Sequence, residues 1–145
     1  MKLSHVVAAA ALAAGVGVAP AFSDPMPMDQ PIGIDGITTV CTGIGDEAQN
    51  DPRWKAYPIR VEFSNGGSQY LSGAHVELKD DGGKLLAALD CSGAWVLFQL
   101  PAGNYKVSAT LLHHPAEPAR SARFSPPAGR QQRVVLEFKG VNANE

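Results

Sequence analysis

The chain has 145 residues, enough for one ordinary domain, and 45% of them are hydrophobic against 18% charged. With 12 lysines and arginines against 14 aspartates and glutamates, the formal net charge at pH 7 is −2. A weakly acidic chain lacks the basic surface that nucleic acid or an anionic membrane requires, so we expect neither partner.

The chain begins with the pattern of a signal peptide at 1–23. Lys2 gives a positive start, an apolar run follows at 6–18, and small residues stand at Ala21 and Ser23. Cleavage after either small residue would export the remainder to the periplasm or the medium. The apolar run is shorter than the roughly 20 residues that span a bilayer, and no later segment is long enough. We therefore predict no membrane span; an uncleaved N-terminal anchor is the alternative.

Three segments with different predicted structures follow the signal peptide. Residues 24–35 are rich in Pro, Met and Asp without periodicity, which predicts a flexible, extended leader. A β-branched run at 37–41 predicts the first strand. Asp46 then opens the only stretch with helical character, and Pro52 keeps that helix short.

Short alternating runs separated by Gly- and Pro-bearing turns fill the rest of the chain. They predict strands at 58–64, 74–79, 84–91, 94–100, 105–112, 120–125 and 131–138. In the first of these, Arg60 and Glu62 lie on the face opposite to the apolar residues. In the strand at 84–91, Leu85 belongs to the apolar side. The pattern predicts an all-β antiparallel sandwich of seven or eight strands at 36–139, with one short helical segment after the first strand and a frayed tail at 140–145.

Cys41 and Cys91 are the two cysteines of the chain. In the oxidising compartment that a signal peptide implies, two thiols usually end as one bridge. We favour a disulfide, since closing a loop of about 50 residues would restrict the unfolded chain. Two buried free thiols or a two-ligand metal site are the alternatives, although two ligands alone make a poor zinc site.

The most distinctive segments are GAHVEL at 73–78, DDGG at 80–83 and LPAGNYKVSA at 100–109. They resemble the carboxypeptidase regulatory-like domain, a transthyretin-like β-sandwich of Ig-like architecture, in which the aromatic of the last segment packs at a corner of the sandwich. The order of motifs across 36–138 is similar to small exported proteobacterial proteins that carry this domain alone and have no assigned activity. The resemblance implies a fold and leaves the activity open, because function lives in sites.

Residues that could carry chemistry are few. No Ser-His-acid arrangement can be argued, and neither G-x-S-x-G nor a phosphate-binding glycine motif occurs. His75 should be an exposed ring on its strand, and the adjacent His113 and His114 point their rings apart, which disfavours chelation. Met26 and Met28 could bind Cu(I) as soft ligands, but methionines in a leader are more often incidental. We predict no catalytic residue, no metal site and no cofactor.

Aromatic residues are the remaining candidates for binding. Trp95 alternates opposite to Val96, and together with Leu97 it could form an exposed apolar strip that marks a partner surface. The alternative, which we favour, is that the leader or the segment at 46–57, through Trp54, covers this face. An edge strand could also accept a strand from a partner.

Three functions remain open. The first is a non-catalytic exported module with a structural role in the cell envelope or one in binding an envelope protein whose identity the sequence does not give. The second is a domain that binds a glycan or peptide with the aromatics around Trp95. The third is a periplasmic metal-handling protein that uses the methionines and the loop histidines.

Overall fold

The structure, a computed structural model, describes residues 25–143. Within that range the chain forms nine strands, one short α-helix and one 3-10 helix. In chain order these are β1 (Ile32–Ile34), β2 (Ile37–Thr42), α1 (Asp46–Gln49), the 3-10 helix (Pro52–Ala56), β3 (Ile59–Ser64), β4 (Ala74–Asp80), β5 (Leu85–Cys91), β6 (Trp95–Phe98), β7 (Tyr105–Leu111), β8 (Arg120–Phe124) and β9 (Gln132–Glu137).

The strands form two sheets that pack as a sandwich. One sheet has five strands in the order β1-β2-β6-β3-β9, and the other has four in the order β5-β4-β7-β8. The predicted all-β sandwich with a short helix after the first strands is confirmed. Two details differ from the prediction: the described part has nine strands, and β3 pairs with β9 in parallel. Alternation along a strand sets which side chains share a face, but it does not set strand order or direction.

The core lies between the sheets and follows the two-residue period of the strands. Val61 and Phe63 of β3, Val76 of β4 and Phe98 of β6 are fully buried there. The end of the chain follows the same period, since Val134, Leu136 and Phe138 are all buried.

The hairpin between β4 and β5 contains an irregularity that the periodicity did not predict. The pairing register shifts between Leu78 and Lys79, so Leu85 rather than Leu86 pairs with Lys79. A bulge of this kind turns the following side chains to the other face. Leu85, predicted to lie on the apolar side, is 49% exposed, while Leu86 packs against the core in its place.

Tyr105 fixes the turn that precedes β7. Its hydroxyl donates to the carbonyl oxygen of Pro101 at 2.9 Å, and its ring stacks on Phe124 with centroids 5.7 Å apart. The aromatic therefore packs at a corner of the sandwich, as the motif at 100–109 predicted.

Described residues from both predicted flexible ends, the leader and the tail, pack against the sandwich. Within 24–35, β1 pairs with β2, and the backbone N–H of Met26 donates to the carbonyl of Asp90 at 3.0 Å. Residues 25–30, which we call the N-terminal strap, run along the seam between the two sheets. At the other end Val141 is buried. An apolar side chain beside an open core edge gains from packing there. The flexibility of the leader and of the tail stays a prediction. The predicted signal peptide at 1–23, together with residues 24, 144 and 145, lies outside the described residues.

Candidate functional site

Among the described residues, most of the buried polar side chains lie on the outer face of the five-stranded sheet, namely Thr42, Glu62 and Ser64. Side chains from four neighbouring strands form two rows across it, as the strand registers show. One row contains Val40, Leu97, Arg60 and Arg133, and the next contains Thr42, Trp95, Glu62 and Val135.

Glu62 stands at the centre of this face and is the only charged residue in the described chain that is completely buried. The Nε atom of Arg60 donates to Oε2 of Glu62 at 2.9 Å. The guanidinium of Arg133 donates to both carboxylate oxygens, from Nε to Oε2 at 2.5 Å and from Nη2 to Oε1 at 2.8 Å. A planar guanidinium fits a carboxylate in this two-point manner, which satisfies charge and hydrogen bonding together.

The pKa of Glu62 reflects two opposed effects. Burial on its own would raise the pKa, because a low-dielectric surrounding disfavours the charged form. Hydrogen bonds from Arg133 and Tyr70 and the positive charges of Arg60 and Arg133 outweigh burial, so the pKa lies below its usual value. The hydrogen bond to Glu62 in turn raises the pKa of Arg133. The carboxylate is therefore ionised at neutral pH and has no proton to donate.

Trp95 forms the wall beside this carboxylate. The guanidinium carbon of Arg60 lies 4.2 Å from its ring centroid, and the ring of Tyr70 meets it edge-on at 5.8 Å. Gly43, with φ +96°, lets the backbone pass close to the indole, since a Cβ there would lie 2.6 Å from Cγ of Trp95. We call Arg60, Glu62, Tyr70, Trp95 and Arg133 together the Glu62 cluster.

A cleft of about 270 Å³ opens beside the Glu62 cluster, between β9 and the loop that follows β3. Its lining consists of Glu62, Ser64, Gly67, Ser68, Gln69, Tyr70, Arg133, Val135 and Glu137. Tyr70 is 37% exposed and Val135 is 41% exposed at its rim. The floor is thus a neutralised ion pair, while the rim offers apolar surface and the carboxylate of Glu137.

The binding strip suggested by Trp95, Leu97 and Trp54 is covered. Trp95 is only 4% exposed, and Leu97 packs in a cluster with Val40, Trp54 and Tyr57. Gln131 secures the cover, because its side-chain amide donates to the carbonyls of Trp54 and Tyr57 at 2.8 and 3.0 Å. Trp54 of the 3-10 helix packs against Leu97, as the favoured alternative predicted, whereas Arg60 and Tyr70 are the residues that contact Trp95. All three of the candidate residues are buried, so none is available to stack on a ligand.

Cys41 and Cys91 form a disulfide, with Cα atoms 5.5 Å apart and 50 positions between them. The bridge joins β2 of one sheet to β5 of the other and is fully buried. The favoured prediction from the sequence is confirmed, and the alternatives of free thiols and a two-cysteine metal site do not describe this structure.

His75 is not the simple exposed ring that its strand position predicted. Its Nδ1 lies 2.6 Å from Oδ1 of Asp90, and its Nε2 lies 3.5 Å from Oε1 of Glu77. The ring does point outward on β4, but it is half-buried between two carboxylates from neighbouring positions of the sheet. Both ring nitrogens face acceptors, which suits a structural role.

The loop after β7 carries the other two histidines of residues 25–143, His113 and His114. His114 and Glu117 have the H-x-x-E spacing found in some zinc motifs, but here the segment is a turn in which the N–H of Glu117 donates to the carbonyl of His114. Across residues 25–143, no group of three or more His, Cys, Asp and Glu side chains is placed to hold a metal ion.

A larger cleft of about 500 Å³ lies at one end of the sandwich, among the turns at 55–58, 99–102 and 126–130. Its titratable lining consists of Lys55 and Arg130, both exposed, without an acid or an aromatic beside them. This cleft is larger than the one beside Glu62, but fewer kinds of titratable and aromatic side chain line it.

Sequence reasoning placed Arg60 and Glu62 on one face but missed the site that they form. Part of the site was visible in the sequence. Arg60 and Glu62 are two positions apart and alternate with apolar residues, which places an opposite-charge pair on one face of a strand. Tyr70 and Arg133 carried no comparable signal, because their place depends on a loop and on a strand from the far end of the chain.

No protein-family model, no curated protein and no solved structure matches this chain. The likeness to the carboxypeptidase regulatory-like domain therefore stays a prediction from the residues quoted above. Among the helices in the described part of the chain, none has the length and apolar character needed to cross a membrane.

Proposed function

We propose that this chain is a non-catalytic β-sandwich module, exported to the cell envelope, that binds another protein at the rim of the cleft beside Glu62. The observation that carries the proposal is the occupation of both Glu62 oxygens by guanidinium donors. A carboxylate held in this way is a poor base and has no proton to give at neutral pH. The cluster serves better as a rigid floor than as a reactive centre.

The rim has the composition of a protein-binding surface. Tyr and Arg are enriched among the residues that dominate interface energetics, and Tyr70 and Arg133 stand together here. Tyr70 is held in place by its edge-on contact with Trp95. A side chain that is ordered before binding loses less conformational entropy when the partner arrives.

The charge at the rim indicates what the partner presents. Glu137 lines the cleft and forms no ion pair within residues 25–143. Arg60 and Arg133 both pair with Glu62, so the unpaired carboxylate among the residues that line the cleft is that of Glu137. A segment that places an apolar side chain against Tyr70 and Val135, next to a lysine or arginine, would complement both features.

Crosslinking in living cells tests this proposal. A photo-reactive amino acid at Val135 should capture one discrete protein, and Glu137→Lys in the same chain should abolish that product. The matched position is Leu85, which is 49% exposed on the other sheet, and it should not give the product. Equal capture from both positions, or none from Val135 under several growth conditions, would refute the proposed surface. Fractionation of the same cells tests export.

The glycan- or peptide-binding alternative relied on exposed aromatics around Trp95. That indole is 4% exposed and is sandwiched between Arg60 and Tyr70. Stacking on a sugar or an aromatic peptide side chain needs an open ring face, so the alternative loses the feature that supported it.

A further inference from the structure

Three sulfur atoms meet at the seam between the two sheets. Besides the disulfide sulfurs of Cys41 and Cys91, the thioether sulfur of Met28 lies 3.4 Å from Sγ of Cys41. They come from β2, β5 and the N-terminal strap, so only the folded chain brings them together.

The surroundings of these sulfurs suit thiolates. The backbone N–H of Gly93 points at both cysteine sulfurs, at 3.4 Å from Cys41 and 3.3 Å from Cys91. Gly93 is also where the methyl group of Met28 packs, and a Cβ at that position would collide with the carbonyl oxygen of Thr42. A preset donor favours the charged form of a group buried away from water.

The strap that brings Met28 to this place is lightly attached. Two backbone hydrogen bonds, from Met26 N–H to the Asp90 carbonyl and from Asp29 N–H to the Cys41 carbonyl, hold it to the sheets. The hydroxyl of Thr42 adds one more by donating to the carboxylate of Asp29 at 2.6 Å. Met26 is also buried against the core, so a route for a small ion to the sulfurs requires local opening that breaks these bonds and exposes that side chain.

We propose that, once the disulfide is reduced, the sulfurs of Cys41, Cys91 and Met28 form a binding site for Cu(I). Thiolate and thioether sulfurs are soft ligands that select Cu(I) over hard divalent cations. The cysteine Cα atoms are 5.5 Å apart, so a metal can bridge the two thiolates without separating the sheets. The histidines of the loop after β7 take no part.

The reaction balances with a dithiol as the reductant. The dithiol gives two electrons and two protons to the Cys41–Cys91 bond, which breaks to two thiols while the reductant closes its own disulfide. Cu(I) then displaces both thiol protons and forms two metal–thiolate bonds, and the neutral thioether of Met28 completes the set.

The purified full chain allows a direct test with Cu(I) itself as the probe. After reduction and removal of the reductant, the folded chain should take up one Cu(I) per molecule in competition with a chromophoric Cu(I) chelator. The oxidised chain should take up none. Even outer-shell partners alter metal affinity by roughly 10–100-fold, so Met28→Leu should weaken binding by at least about tenfold.

Met26→Leu is the matched control, since Met26 lies two positions earlier in the same strap and should leave the affinity unchanged. Equal binding by wild type and Met28→Leu would overturn the three-sulfur site. Loss of the circular dichroism of the strands on reduction would overturn it as well, because the site requires a folded reduced chain. These outcomes are independent of the crosslinking result, so this inference and the proposed function can fail separately.

Discussion

The guanidinium of Arg133 holds the carboxylate of Glu62 at two points, although the residues lie 71 positions apart. They belong to β9 and β3, the parallel strand pair of the five-stranded sheet. The contact therefore ties β9, the edge strand, to its neighbour β3. It also fixes the floor of the cleft that we propose as a docking surface.

Replacing Glu62 by Gln should destabilise the fold by about 1–3 kcal/mol at pH 7, because the amide removes the negative charge and turns one of the two acceptor oxygens into a donor that faces a guanidinium. The measurement is urea unfolding followed by tryptophan fluorescence. Asp81→Asn, which alters an exposed carboxylate 3.9 Å from Arg123, is the matched control and should change stability by less than about 0.5 kcal/mol.

The same variant should show a distinct pH dependence. The pKa of Glu62 is lowered in the folded chain from its ordinary value of 4.5, so its contribution to stability is complete above that value. The contribution is lost as the pH falls through the folded pKa, since the unfolded chain takes up the proton first. The stability difference between wild type and Glu62→Gln should therefore narrow below pH 4.5. A difference that stays constant to pH 2.5 would contradict the assignment.

Removing the disulfide should cost about 4 kcal/mol, the loop-closure value for a separation of 50 residues. The double variant Cys41→Ser with Cys91→Ser should unfold at a correspondingly lower urea concentration. A loss below about 1 kcal/mol would mean that the unfolded chain is already restricted, or that the bridge strains the sheets.

The two glycines before α1, Gly43 and Gly45, allow the cost of backbone strain to be measured apart from the cost of side-chain crowding. Both have positive φ, but a Cβ at Gly43 meets Trp95 while a Cβ at Gly45 meets nothing within 4 Å. Gly45→Ala should cost about 1–3 kcal/mol from backbone strain alone. Gly43→Ala should cost at least about 1 kcal/mol more, because the indole has to shift. Equal losses in thermal unfolding would show that Trp95 does not depend on this close approach.

Trp54 should be essential as a cover and dispensable as a hydrogen-bond donor. It is buried over Leu97, and its Nε1 has no hydrogen-bond partner in the described chain. Trp54→Ala should lose about 3–5 kcal/mol and expose apolar surface to a hydrophobic dye. Trp54→Phe keeps the ring and should lose less than half of that. A Phe variant as unstable as the Ala variant would point to an unseen partner of the indole.

The strands were largely predictable because each alternates on its own. Residues 58–64 and 105–112 showed the two-residue period, and the structure places β3 and β7 within a residue or so of those limits. The alternation could not predict which residues would cover an outward-pointing side chain. Glu62 does point away from the core between the sheets, yet it is fully buried, since Arg60, Tyr70 and Arg133 close over it. That cover comes from a loop and from a strand 71 positions away.

The packing of the N-terminal strap could not be predicted for the same reason. Met26 and Met28 stand among prolines and aspartates, so the local composition indicated a mobile leader. Their packing depends on the seam between β2 and β5, which exists only after both sheets have formed. Leu85 adds a third case, because one register shift in the β4–β5 hairpin reversed the face that its spacing indicated.

The most direct test of a locked, non-catalytic Glu62 is its own titration. The carboxyl carbon of Glu62, assigned by comparison with Glu62→Gln, can be followed by carbon NMR of the folded chain as the pH is lowered. The account predicts a midpoint below 4.5, with the carboxylate ionised throughout the neutral range. A midpoint near neutrality would contradict it, because such a carboxyl group would be poised for proton transfer and the cluster would then have to be reconsidered as an active site.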